Sequence, residues 1–162
     1  MLKIRQARPG DQPALRNIDT ATWKADVSPA PPPPADAAFF TGRRRPADVL
    51  VAEIGGAVTG YAALGQSLAI TSHIHVLKIQ GLAVHPAHQR HGAGRRLVQA
   101  CLDEARSRPA RKLTLRVLST NPTARQLYES CGFHIEGMLR EEFFLSGRYV
   151  DDILMAASLS TD

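Results

Sequence analysis

The chain reads as a single α+β domain spanning 1–162, and three observations carry that reading. Short strand-like runs of branched and apolar residues meet at turn signals, above all Gly55-Gly56 and Ser146-Gly147. Between them lie segments near 11–23, 92–107 and 122–131 whose apolar residues return at helical spacing. No stretch repeats, and 162 residues with 44% hydrophobic content suit one core of ordinary size.

At the start, Leu2, Ile4 and Gln6 alternate with Lys3 and Arg5, the period of a short strand, and Pro9-Gly10 ends it. Asp11 stands where a cap belongs, before a helix to about Trp23 with Leu15, Ile18 and Thr22 on one face. The run SPAPPPP at 28–34 cannot continue a helix, and its stiffness predicts a surface loop leading to a second short helix near 35–41. Runs 49–54 and 58–64 flank Gly55-Gly56 and predict a hairpin. Residues 74–84 predict a long strand closed by His85-Pro86. Over 92–107, Leu97, Val98, Cys101, Leu102 and Ala105 gather on one helical face opposite Arg96, Asp103 and Arg106, and Pro109 ends the helix. A strand at 112–118, a helix at 122–131 stopped by Gly132, and a hairpin of 133–145 and 148–159 complete the order.

Twenty Lys and Arg against fifteen Asp and Glu give a net charge of +5, which favours an acidic ligand. The arginines are scattered and never run beyond three, which suits a solvated basic surface better than a nucleic-acid patch. Two cysteines, Cys101 and Cys131, make no disulfide framework. No apolar run has the length of a signal-peptide core or a membrane span, so a soluble, cytoplasmic protein is expected.

Chemistry concentrates in HPAHQRHGAGRRL, residues 85–97. A dinucleotide fingerprint needs a third glycine where Leu97 stands, and the Gly-Lys-Ser/Thr of a Walker loop is missing. What is left is Gln89-x-x-Gly92-x-Gly94 followed by Arg95 and Arg96, a loop of free amides ahead of a helix and suited to an anion. His85, His88 and His91 recur every three residues, but Pro86 breaks the helix that would gather them and no carboxylate or cysteine completes a set. No metal is expected.

Further on stands Asn121-x-x-Ala124-x-x-Leu127-Tyr128-x-x-x-Gly132-Phe133. Asn121 and Tyr128 are seven residues apart, about two turns at roughly 3.6 residues each, so they share a face with small Ala124 between them. With Pro122 next, Asn121 is also a natural helix cap.

These two motifs, in this order and at this separation, resemble the GNAT superfamily of N-acetyltransferases. IRQARPGD at the start and EGMLREEFFLSGRYVDDILMA at the end are similar to that family's first strand and last hairpin. The resemblance implies a mixed, mostly antiparallel central sheet flanked by helices. It implies acetyl-CoA as co-substrate, with its pyrophosphate on the backbone amides of Arg90, His91, Gly92, Ala93, Gly94 and Arg95 and with Gln89 among the cofactor-binding residues. The peptide groups of Leu82 and Val84 would pair with the pantetheine arm like an added strand. Asn121 would touch the cofactor or cap its helix, and Tyr128 would be the general acid near the sulfur. A homodimer is implied in the same way.

Acetyl transfer from a thioester to an amine needs a neutral amine, donors for the oxyanion and a proton for the leaving thiolate. A thiol with pKa around 8.5 leaves fairly well, so a tyrosine near 10 is a usable helper. The base is open among His73 and His75, two apart on one expected strand face, Gln80 through a water, Glu53 and Glu141. The expected activity is direct transfer in a ternary complex to a primary amine on a small molecule or amino acid derivative. Acidic residues such as Asp151 or Glu142 would attract a cationic amine. A protein or peptide acceptor, or a module that holds coenzyme A or nucleic acid without turnover, is the alternative.

Overall fold

Strand segments far apart in the chain form one sheet in the computed structural model, which describes residues 1–160. The strands are β1 (Leu2–Gln6), β2 (Val49–Ile54), β3 (Ala57–Gly65), β4 (Val76–Val84), β5 (Lys112–Leu118), β6 (His134–Leu145) and β7 (Arg148–Ser158). Their order is β1-β2-β3-β4-β5-β7-β6. Every neighbouring pair is antiparallel except β4 with β5. Three helices join them: α1 (Gln12–Thr22), α2 (Ala93–Ser107) and α3 (Pro122–Ser130). The α+β, mostly antiparallel sheet flanked by helices is thus observed. Among the described residues, no helix is long and apolar enough to cross a membrane.

Each sheet face has its own cluster. Leu97, Val98, Cys101, Leu102 and Ala105 of α2 are buried, and they pack on Leu64, Leu77, Ile79, Leu113 and Met155. Full burial of each Leu or Val side chain contributes about 1.5–3 kcal/mol, and this seam holds α2 against the sheet. On the other face Leu15 and Ile18 of α1 pack with Phe39, Val49, Val51 and Tyr61.

Three local expectations are corrected. Asp11 directly precedes α1 but makes no cap hydrogen bond to it. Its carboxylate instead accepts from both Arg5 Nη atoms, each at 2.9 Å, and from the Arg8 amide at 2.7 Å. Charge-assisted bonds to a half-buried guanidinium outweigh one amide. No helix forms at 35–41. Phe39 is buried there, edge-on to Tyr61 at 4.8 Å, and the Arg44 guanidinium lies 4.0 Å over its ring while donating to its carbonyl. Tertiary anchoring decides that segment. The strand expected from 74 begins at Val76, because Thr71–His73 form a 3₁₀ turn and Ile74 and His75 continue as a turn out of it.

The feature that positions the site is the parting of β4 from β5. The two pair only through Val76–Lys112, Leu77–Leu113 and Lys78–Thr114. Just beyond, the β3–β4 register slips so that Ala63 faces Gly81 and Leu64 faces Ile79, leaving Gln80 as an extra residue. A bulge bends its strand and raises the local twist, so β4 swings away from β5 and its far half has a neighbour only on the β3 side.

Candidate active site

Strand alternation fixes which peptide groups face the opening. The His85 amide donates to the Thr59 carbonyl of the β3 side at 2.8 Å. The register is regular from Gly60–Val84 to Ala63–Gly81. Main-chain groups of Ala83 therefore face β3, and those of Leu82 and Val84 face the parted edge. One acceptor there is taken: Gln89 donates its side-chain amide to the Val84 carbonyl at 2.9 Å. The Val84 amide points into the opening.

Above it, the loop turns into α2 through two left-handed residues, Arg90 at φ 68° and Gly92 at φ 85°. Gly92 precedes α2 and no side chain caps the helix, so its first amides lack a protein partner there. Ala93 is buried. Gly94 meets a different need than room for a ligand alone. A Cβ there would stand 3.2 Å from Leu127 Cδ2, so the glycine lets α3 approach α2 closely. Arg95 donates to Ser130 Oγ at 2.9 Å, at the end of α3, and Arg96 turns away to the Leu2 carbonyl. Arg90, Arg95 and Arg96 are all exposed. His91 is exposed too, and His85 Nδ1 accepts from the Ala87 amide. Among the described residues no cluster of His, Cys, Asp or Glu could hold a metal ion.

Asn121 does cap α3, its Oδ1 accepting from the Ala124 amide at 3.2 Å. Its NH₂ is left for another partner. Tyr128 is 8% exposed and stacks edge-on to Phe133 at 6.0 Å. Burial, with smaller contributions from nearby Cys101 and Cys131, pushes its phenol up to about 12. Asn121, Ala124 and Tyr128 line one cavity of about 310 Å³ together with Arg116 and Asp152 of the sheet and with Val27 and Pro29. The proline-rich loop therefore has a place in the fold. It is tied down by Trp23 donating to the Ala30 carbonyl at 3.0 Å and Thr120 donating to the Asp26 carbonyl at 2.6 Å. Those ties hold its start over the cavity.

The candidate bases do not gather there. Glu53 pairs with Arg5 at 2.7 Å, and that contact holds its carboxyl below the usual range. His73 and His75 share no strand face, because they lie in the turn before β4 with ring centres 6.4 Å apart. Gln80 is the bulge residue and folds its amide over Gly65. Glu141 sits at a left-handed kink of β6, its amide donating to Asp151 Oδ1 at 2.8 Å. Asp151, named from the sequence as a lure for cationic amines, is thereby occupied, and Glu142 is exposed on β6. The carboxylate inside the cavity is Asp152, paired with Arg116. Sequence reading missed both, since only the β5–β7 register puts them together. Cys101 is fully buried, its thiol pushed up to about 12 mainly by burial, and both cysteines are free.

The model of the acetyltransferase (GNAT) family matches residues 13–133. Over 111 residues the chain is 32% identical to the L-amino acid N-acyltransferase MnaT of Escherichia coli, a match taking in 68% of this chain and 64% of that protein. The chain thus spans a little under two thirds of that curated relative's length. Whole-chain likeness comes from solved structures. A Streptococcus mutans protein is 30% identical with a TM-score of 0.87, covering 98% of this chain and 99% of the other. A Salmonella typhimurium structure described as an acetyltransferase with its cofactor acetyl-CoA is 25% identical with a TM-score of 0.83, covering 100% and 96%. By the family match over most of its length, the chain belongs to the GNAT acetyltransferase family.

Proposed function

We propose that this protein moves an acetyl group from acetyl-CoA to a primary amine, by direct transfer in a ternary complex. The parted edge of β4 carries the proposal: Leu82 and Val84 aim main-chain groups into a gap that an extended pantetheine arm would fill as a strand. Pyrophosphate would then lie on the uncapped amides from Arg90 to Arg95, where left-handed Gly92 turns the chain and the helix dipole favours an anion. Gln89 would hold the loop to β4 through the Val84 carbonyl.

At the reacting end the Val84 amide is the available oxyanion donor. Tyr128 keeps its proton because burial disfavours phenolate, it donates that proton to the departing thiolate as the C–S bond breaks, and it is reprotonated from solvent. Asn121 caps α3 and turns its free NH₂ to the cofactor. The candidate bases lie away from the cavity or are engaged, so the acceptor enters as the neutral amine and its surplus proton leaves to water. Neither thiol serves as nucleophile: Cys101 is sealed in the core with a raised pKa, and direct transfer needs no acyl-enzyme.

The acceptor is a small amine or amino acid derivative, in keeping with the cavity's size and with the amino acid acyltransferase among the relatives. The two free thiols fit a reducing, cytoplasmic setting. A homodimer belongs to the same reading, since outer strand β6 exposes Ile135, Met138 and Leu139 to a second copy, and a sedimentation mass reads it directly.

Thiol release from acetyl-CoA over a panel of amines tests the activity. Amine-dependent release with intersecting initial-rate lines is the expected result. Parallel lines would mean a covalent intermediate, and no release with any amine would leave a binding module.

A further inference from the structure

Arg116 and Asp152 form a charged pair inside the cavity that acetyl transfer by itself does not use. Asp152 on β7 has Leu118 of β5 as its cross-strand partner, so it sits diagonally from Arg116 on one sheet face. The Asp152 side chain is 3% exposed, and its Oδ2 meets Arg116 Nη2 at 2.5 Å. Arg116 keeps 43% of its side chain exposed. For stability alone the buried Asp152 is a poor choice, because an apolar residue of similar volume would avoid the cost of desolvating its charge. A guanidinium has five N–H donors in a rigid fork, and Asp152 is the only ion-pair partner of this one among the described residues. Asp152 thus holds one nitrogen of a fork whose other nitrogens have no ion-pair partner among the described residues.

The rest of the cavity limits what those donors could meet. Val27, Pro29, Leu118 and Phe143 are apolar walls, and about 310 Å³ holds an amino acid but not a folded chain end with its neighbours. A polyamine would find the cavity's one carboxylate already engaged and an arginine charge beside it. A protein N-terminus has no carboxylate on its first α-carbon, so the fork would lose a partner.

We propose that Arg116, aimed by Asp152, reads the carboxylate of the acceptor, so that the acceptor is a free α-amino acid with an apolar side chain. This rests on the acetyl-transfer reading of the site. Carboxylate on the fork and amine on the same carbon place the nucleophile on the Tyr128 side of the cavity. Arg116 is a specificity residue, and Asp152 is a positioning residue that acts through it.

The test compares L-leucine with L-leucinamide, which differ in the carboxylate alone and are compared per neutral amine. Charge-assisted hydrogen bonds predict a kcat/KM for leucine about 10- to 100-fold above that for leucinamide. Arg116→Gln should bring that ratio near one, with the loss in the KM for leucine, and Arg116→Lys should fall between. Asp152→Asn should raise the leucine KM and shrink the ratio, whereas a merely structural role would lower stability with the ratio intact. Wild-type protein using leucinamide as well as leucine would overturn the proposal, and this measurement needs no variant. A ratio that survives undiminished in Arg116→Gln would overturn it too. Should neither compound release thiol while another amine of the panel does, the proposal falls and the acetyl-transfer reading stands. Should no amine do so, the acetyl-transfer reading fails, and thermal shifts with coenzyme A present then decide. Stronger stabilisation by leucine than by leucinamide supports an Arg116 carboxylate site, and equal or absent shifts reject it.

Discussion

Tyr128 shows how far a single residue could be read in advance and what only the fold supplies. Its spacing from Asn121 and Ala124 set it on a helix face, and the structure adds a nearly buried ring packed on Phe133 with its phenol raised to about 12. Phenylalanine keeps the ring contact and deletes the proton, so Tyr128→Phe should lower kcat about 100-fold, the low end for general acids because thiolate already leaves fairly well. Cofactor affinity should hardly change. The sign of the shift sets the pH behaviour: an acid raised by burial stays protonated through its ordinary range near 10 and loses its proton only around 12. The kcat/KM profile of the free enzyme should therefore rise with amine deprotonation and show no phenol-dependent fall near pH 10. Wild-type kcat in folded Tyr128→Phe would make water the proton donor. Arg116 and Asp152 were not readable in this way. A charged residue in a strand says nothing about its partner until the cross-strand register is known, and theirs joins residues 36 positions apart.

Among the elements, the amphipathic helices and both glycine-turned hairpins were legible because local pattern and tertiary demand agree. Where they disagree the fold wins: Phe39 is drawn into the α1 face, and the expected helix at 35–41 does not form. The bulge at Gln80 left no mark in the sequence, yet it turns β4 from β5. At the start of α2 the two glycines separate by cause. Gly92 needs its left-handed backbone, and Gly94 needs room beside Leu127. Valine at 92 meets open space but an unfavourable φ, which costs about 1–2 kcal/mol and turns the loop amides out of place. Gly92→Val should thus fold with a lowered Tm and lose the thermal shift given by acetyl-CoA. A shift of wild-type size in that variant would mean that the phosphates bind elsewhere.

At the scale of the whole molecule, the strand order β5-β7-β6 inserts the last strand between two earlier ones, and neither periodicity nor composition announces that. The family resemblance implied a mixed, mostly antiparallel sheet but not this order; its two motifs stand about thirty residues apart, the separation at which α2 and β5 carry the chain from one side of the gap to the other. The sheet pairs β4 and β5 over three residues and then parts them, α2 and α3 close on each other at Gly94, and the tethered loop brings Pro29 over the opening. Under the proposed function these features form a slot that the cofactor would enter from the α2 end, with the acceptor cavity beside Tyr128. A crystal structure of the protein with acetyl-CoA tests that account most directly. It should show the pantetheine paired with the main chain of Leu82 and Val84, the pyrophosphate on the amides from Arg90 to Arg95, and the thioester sulfur within hydrogen-bond reach of the Tyr128 hydroxyl. Acetyl-CoA bound with its phosphates away from that loop, or with the gap between β4 and β5 still empty, would contradict it.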